Sequence, residues 1–278
     1  MIIWIASYPK SGNTWVRAFL SAYYFTEDGI YNPKQLEQIP DYPNAKIIGK
    51  NIEENTIHLY WKESQERFIK DNKIRFLKTH NALLNIGKYS FTTPKVTKGV
   101  IYIVRDPRNV ITSLKNHMDF QSYDEALNFM QDKNIILTNK NKIFSRNQFI
   151  SSWQINYSSW TKTSNFKKFL LRYEDMVSKP NMTFKQLILF INTLSNHEKK
   201  INEEKFKNAL ASTNFESMKK TEKAGEFNEN VNSPLNNSKR EFFYLGPENN
   251  WKKLLDDKII SKMNQYFMND LKLLRYEI

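Results

Sequence analysis

The sequence contains no cysteine. Disulfides, thiolate metal sites and cysteine nucleophiles are therefore excluded. Its four histidines, His58, His80, His117 and His197, are scattered. None stands in an HExxH or other metal-ligand spacing, so no metal centre is expected. The glycine-lysine-hydroxyl signature GK[ST] of nucleotide-hydrolysing phosphate loops is absent. No run approaches the roughly 20 apolar residues of a membrane-crossing helix. The opening "MIIWIASY" lacks the basic start, long apolar core and small-residue cleavage site of a signal peptide, so a cytoplasmic location is expected.

What is present bounds the chain differently. Its 278 residues, 40% of them hydrophobic and 14% aromatic, suffice for one large α/β domain spanning 1–278. The formal charge is +13, from 42 basic against 29 acidic residues. That favours anionic partners. A plainer account, solvated surface lysines, covers most of the excess, so the charge is compatible with a polyanionic small ligand without requiring nucleic acid.

Apolar patterning places strands at 2–8, 73–80, 99–105 and from 167, the third continuously apolar as in a strand covered on both faces. Helical patterns occupy 14–25, 61–71, 106–117, "YDEALNFMQD", 146–163, 182–194, 203–211 and 254–274. Residues 222–245 read as a long polar loop. Strands alternating with helices imply a three-layer α/β/α architecture around a mostly parallel sheet. Ligands of such sheets lie beyond the carboxyl ends of the strands, so the strand tips carry the chemistry.

The first strand ends in "YPKSGNTW", residues 8–15. Ser11 and Gly12 let successive backbone N–H groups face an anion, and the following helix start adds positive potential. Lys10 adds a full charge, and Thr14 a hydroxyl. An ordinary Gly-containing βα turn is the bland alternative. The second strand ends in "KTH": Lys78 and His80 flank Thr79 and so share a side. The lysine suits developing negative charge and the histidine suits accepting a proton, although a surface histidine at a strand edge also fits. The third ends in "VRDPRNVITS", with Arg105 at the tip and Ser113 on the helix after it. The two can share one phosphate, or Arg105 can pair with Asp106. The fourth ends in "RYED", leaving Tyr173 at its tip, against a base or in the core.

These four tips, in this order, resemble the sulfotransferases that use 3′-phosphoadenosine-5′-phosphosulfate (PAPS, product PAP). "STNFESMKK" (212–220) and "LGPENNWKKLL" (245–255) resemble two later family segments. The resemblance implies a P-loop NTPase-like sulfotransferase fold. It implies that Lys10, Ser11, Gly12, Asn13 and Thr14 hold the 5′-phosphosulfate and that Trp15 stacks on adenine. Arg105 and Ser113 would bind the 3′-phosphate, Ser113 counting also with the catalytic set. Tyr173 and Thr213 would hydrogen-bond adenine, with Phe215 on its other face. His80 would be the general base, and Lys78 and Lys10 would stabilise the transferring sulfuryl group.

One departure stands out. Where the family often carries Arg-Lys-Gly to grip the 3′-phosphate, this chain has Tyr244, Leu245 and Gly246. Lys239 and Arg240 lie just upstream, and Arg240 is the expected replacement, with backbone N–H groups near Gly246 as the other option. The resemblance implies an acceptor that is a small molecule or carbohydrate bearing a hydroxyl or amine, without naming it. Candidate linings of its pocket are 26–60, 84–98 and the helix bearing Trp153 and Trp160, although core packing is the better reading of both tryptophans. The competing classes are a P-loop kinase or NTPase, which lacks GK[ST] here, and a non-catalytic nucleotide or nucleic-acid binder, which leaves Lys78 with His80 unexplained.

Overall fold

Four apolar runs become one sheet: β1 (Ile2–Ser7), β2 (Arg75–Thr79), β3 (Thr97–Val104) and β4 (Lys168–Arg172). The structure is a computed structural model that describes residues 1–71, 73–138, 146–195, 200–227, 229, 231–232 and 239–278, with 231–232 and 239–240 described by backbone alone. The strands run parallel in the order β2-β1-β3-β4. Ala6 lies beside Thr79, Ser7 beside Ile103, and Val104 beside Arg172. That register delivers Ser7, His80, Arg105 and Tyr173 to one edge.

The period-2 alternation of side chains divides the core into two layers. Ile2, Trp4 and Ala6 of β1 join Leu77, Val100 and Tyr102 on one face. Ile3 and Ile5 join Phe76, Ile101 and Ile103 on the other. Helix α1 (Asn13–Phe25) covers the second face with Val16, Phe19, Leu20 and Tyr23, spaced as one helical stripe. The other helices used below are α2 (Pro107–Met118), α3 (Trp153–Lys162), α4 (Pro180–Ser195), α5 (Phe215–Lys223) and α6 (Asp257–Leu273). Phe184, Leu187, Ile188 and Ile191 of α4 pack beside α1, and Met263 and Phe267 of α6 pack on the opposite face.

Two expectations need correction. The helix expected over 146–163 begins only at Trp153, because Ser151 sits at φ 57° and Ser152 caps the helix through its hydroxyl. Gln148–Phe149 instead pairs with Ile136–Leu137 as a two-stranded ribbon. Trp153 and Trp160 are both fully buried, as the core reading of them has it. A helix, α5, runs into the start of the expected 222–245 loop, and Val231–Asn232 pairs with Lys239–Arg240. Much of the rest of that loop lies outside the described residues.

Candidate active site

The turn after β1 takes the conformation its residues suggest. Lys10 has φ 65° and Gly12 has φ 98°. At Gly12 a side chain is excluded by space as well as by φ, since an added Cβ would lie 2.6 Å from the Tyr173 ring. No side chain caps α1, so its first-turn N–H groups are left to the concavity in front of them. Asn13 is turned inward, donating to the Ile5 carbonyl and the Ser7 hydroxyl. The Thr14 hydroxyl donates to Glu229 Oε2 at 3.1 Å, while Glu229 Oε1 pairs with buried Arg17 at 2.6 Å. An anionic group thus already sits against the loop's hydroxyl.

His80 follows the last residue of β2. Its Nδ1 is 2.7 Å from the Ser7 carbonyl. A carbonyl can only accept, so Nδ1 carries the proton and Nε2 keeps the lone pair. Backbone contacts hold the residue on both sides: its N–H donates to Gln148 at 2.6 Å, and its carbonyl accepts from Asn156 at 2.8 Å. Burial, then the Lys78 charge, lowers the His80 pKa to about 3, against smaller opposing effects of the Ser7 contact, Asp41 and Glu229. The charge effect agrees with the two residues sharing a side. Lys78 itself is held by Asp41, Nζ to Oδ1 3.2 Å.

Lys10 Nζ lies 3.4 Å from His117 Nδ1 and 4.3 Å from the centre of the Phe242 ring. His117 meets the same ring edge-on. Burial and the nearby Arg105 charge lower the Lys10 pKa to about 8, with Glu222 and Glu229 opposing.

Arg105 does not pair with Asp106. Asp106 is taken by fully buried Arg108, Nη2 to Oδ2 2.7 Å. Arg105 turns to the loop instead, donating to the Lys10 carbonyl at 3.1 Å and, more weakly, to the Gly246 carbonyl at 3.5 Å. Its guanidinium lies 4.0 Å over the Tyr173 ring. Ser113 is half-buried on α2, two turns from Arg105.

Trp15 and Tyr173 stand edge to face at 6.1 Å, the tryptophan backed by Phe184. Phe215 packs directly on Gly246, where an added Cβ would come within 2.1 Å of the ring. Thr213 is fully buried and donates its hydroxyl proton to the Ala209 carbonyl, leaving only acceptor capacity. The side chain of Arg240 lies outside the described residues, as does His197.

Several site residues escaped the sequence reading: Asp41, His117, Glu229 and Lys219. Lys219, on α5, donates to the Tyr244 carbonyl at 3.2 Å. Asp41 and Glu229 carry no local signature, because each gains its place through contacts distant in sequence. Lys219 stands inside the quoted segment "STNFESMKK" without a role read from it, and His117 has a weak signal, four residues beyond Ser113 and hence on the same helical face.

The side chains fit a nucleotide carrying a phosphosulfate. Buried Ser11 Oγ, Trp15 Nε1 and Arg105 Nε have no hydrogen-bond partner among the described residues. Such groups call for a ligand, and these three border one cationic turn. Among the described residues no cluster suited to a metal occurs.

Comparison with known proteins agrees with that chemistry. Residues 2–275 match the family described as "Sulfotransferase domain". The luciferin sulfotransferase of Photinus pyralis is 22% identical, covering 94% of this chain and 69% of its own length. Sulfotransferase 1B1 of Canis lupus familiaris is 25% identical, covering 89% and 76%. Two solved structures share the fold: mouse sulfotransferase SULT7A1 complexed with PAP (TM-score 0.58, 16% identity, 97% of this chain and 84% of that one) and retinol dehydratase with androsterone and inactive cofactor PAP (0.57, 15%, 98% and 80%).

Proposed function

This chain belongs to the sulfotransferase family, and we propose that it transfers a sulfuryl group from PAPS to a hydroxyl or amine of a small-molecule or carbohydrate acceptor. The observation that carries this reading is the His80–Ser7 contact. It leaves a neutral imidazole with its Nε2 lone pair available, beside the Lys78 ammonium, at the edge where the phosphate-type loop ends.

When bound, PAPS supplies an activated sulfuryl group on a phosphate leaving group. The protein's part is positioning and charge stabilisation, as in other group transfers. His80 accepts the acceptor's proton at Nε2. Lys10 and Lys78 hold positive charge against the transferring group and the leaving oxygen. The turn Ser11–Thr14 contributes backbone N–H groups and the Ser11 hydroxyl to the 5′ end, while the Thr14 hydroxyl is held by Glu229. Arg105 and Ser113 serve the 3′-phosphate, and Trp15, Tyr173 and Phe215 the base, with Thr213 as an acceptor. Base–aromatic stacking of this kind is worth about 1–3 kcal/mol. A relative named for luciferin, and retinol dehydratase structures in complex with androsterone and with retinol, support a small-molecule acceptor.

The test is a thermal-shift comparison followed by an acceptor screen. PAP should raise Tm, since a ligand at 100 times its Kd adds about 2.7 kcal/mol. ATP with Mg²⁺ should not. Labelled PAPS offered with phenols, steroids, sugars and amines should then label one acceptor class. Stabilisation by ATP–Mg²⁺ alone would favour a kinase instead.

A further inference from the structure

The turn 244–246, which lacks the family's basic pair, is approached by two cations from different elements. Arg105 reaches the Gly246 carbonyl from the tip of β3, and Lys219 reaches the Tyr244 carbonyl from α5. The placement of Lys219 is built rather than incidental. Three successive turns of α5 are fastened to this segment. Phe215 sits on Gly246. Glu222 accepts from the N–H groups of Phe242 and Phe243 at 2.6 and 2.9 Å. Lys219 lies between them, one turn from each, with its Nζ 5.8 Å from the Phe215 ring centre. That ammonium is half-buried, and its acidic neighbour Glu241 is 3.6 Å away and largely exposed, a pairing that a phosphate can displace at little cost. Arg105, 5% exposed, keeps its Nε without a hydrogen-bond partner among the described residues. A buried guanidinium with a spare donor and an ammonium resting on a carbonyl of the same turn are donors of the kind a phosphate dianion takes.

We propose that Lys219, together with Arg105, binds the 3′-phosphate of the nucleotide at the turn 244–246, in the role left open by Tyr244 and Leu245. This rests on the reading of the protein as a PAPS-dependent enzyme. The proposal moves the cation from Arg240, the residue nearest in sequence, to a helix fastened to the turn in space.

Calorimetric Kd values for PAP and for adenosine 5′-phosphate, which lacks the 3′-phosphate, separate the possibilities. Lys219→Met should weaken PAP by at least about ten-fold, the loss of one charge-assisted contact, and leave adenosine 5′-phosphate within about two-fold. Lys219→Arg should recover most of the PAP affinity. Equal weakening of both ligands would overturn the proposal and make Lys219 a fastening of α5 only. Unchanged binding in Lys219→Met with selective loss of PAP in Arg240→Met would overturn it in favour of Arg240. If the wild-type protein binds PAP no better than adenosine 5′-phosphate, the PAPS reading itself fails, and this inference with it.

Discussion

The Ser7 carbonyl accepts the Nδ1 proton of His80 across 2.7 Å, from the tip of the neighbouring strand. One backbone atom thereby sets the tautomer of the proposed base. His80→Ala should lower the transfer rate by about 10²–10⁴, the usual weight of a general base, with the PAP Kd within about two-fold. Single-turnover rates and calorimetry check this. Transfer at the wild-type rate would remove His80 from the mechanism.

The same residue makes a stability prediction. Its folded pKa is lowered from 6.5 to about 3. Between those values the unfolded chain binds a proton that the folded chain refuses, so stability falls as pH drops below 6.5 and the loss levels off near 3. His80→Gln removes that group. Urea midpoints measured from pH 7 to pH 4 should fall less steeply in the variant than in the wild type.

Lys10 gives the rate profile a basic limb. The proposed mechanism needs its ammonium, and burial beside Arg105 lowers its pKa to about 8. The value of kcat/KM, which reports the free enzyme, should therefore decline above pH 8. Bound phosphosulfate favours the ammonium, so the decline in kcat should come at higher pH. Lys10→Arg keeps its charge beyond pH 12, and the basic limb near pH 8 should vanish from its profile.

His117 steadies that ammonium at 3.4 Å, with Phe242 against both. His117→Phe keeps an aromatic ring but loses the acceptor, and kcat should fall several-fold with the PAP Kd little changed. His117→Asn restores an oxygen near the Nδ1 position and should recover much of the rate. Identical behaviour of the two variants would mean that packing, not the hydrogen bond, is what matters.

The frame of this site is legible in the sequence where the cause is local. The apolar runs of β1 and β3 fix strands covered on both faces, and the polar residues that stop them, Lys10 and Arg105, fall at the ligand edge. Ser151 and Ser152 show the limit. A helical pattern continues through them, but a left-handed residue and a hydroxyl cap start α3 at Trp153. The Lys78–Asp41 and Lys219–Tyr244 contacts span 37 and 25 residues, and nothing local reports them. Arg105 is ambiguous in the sequence for a different reason. Asp106 lies next to it, and only the structure shows that Arg108 takes that carboxylate.

Gly246 lies between Arg105, proposed for the 3′-phosphate, and Phe215, proposed for the base. It sits at φ 52°, and a methyl group there would lie 2.1 Å from Phe215. Gly246→Ala must strain the backbone, by roughly 1–2 kcal/mol, and push the ring away. If Phe215 forms one wall of the adenine slot, losing it costs stacking common to every adenine ligand, about five-fold or more in Kd. PAP and adenosine 5′-phosphate should then weaken together. Lys219→Met, by contrast, should affect only the ligand bearing a 3′-phosphate. Paired titrations of both variants with both ligands test this, and unaltered affinity in Gly246→Ala would show that Phe215 supports the turn without touching the base.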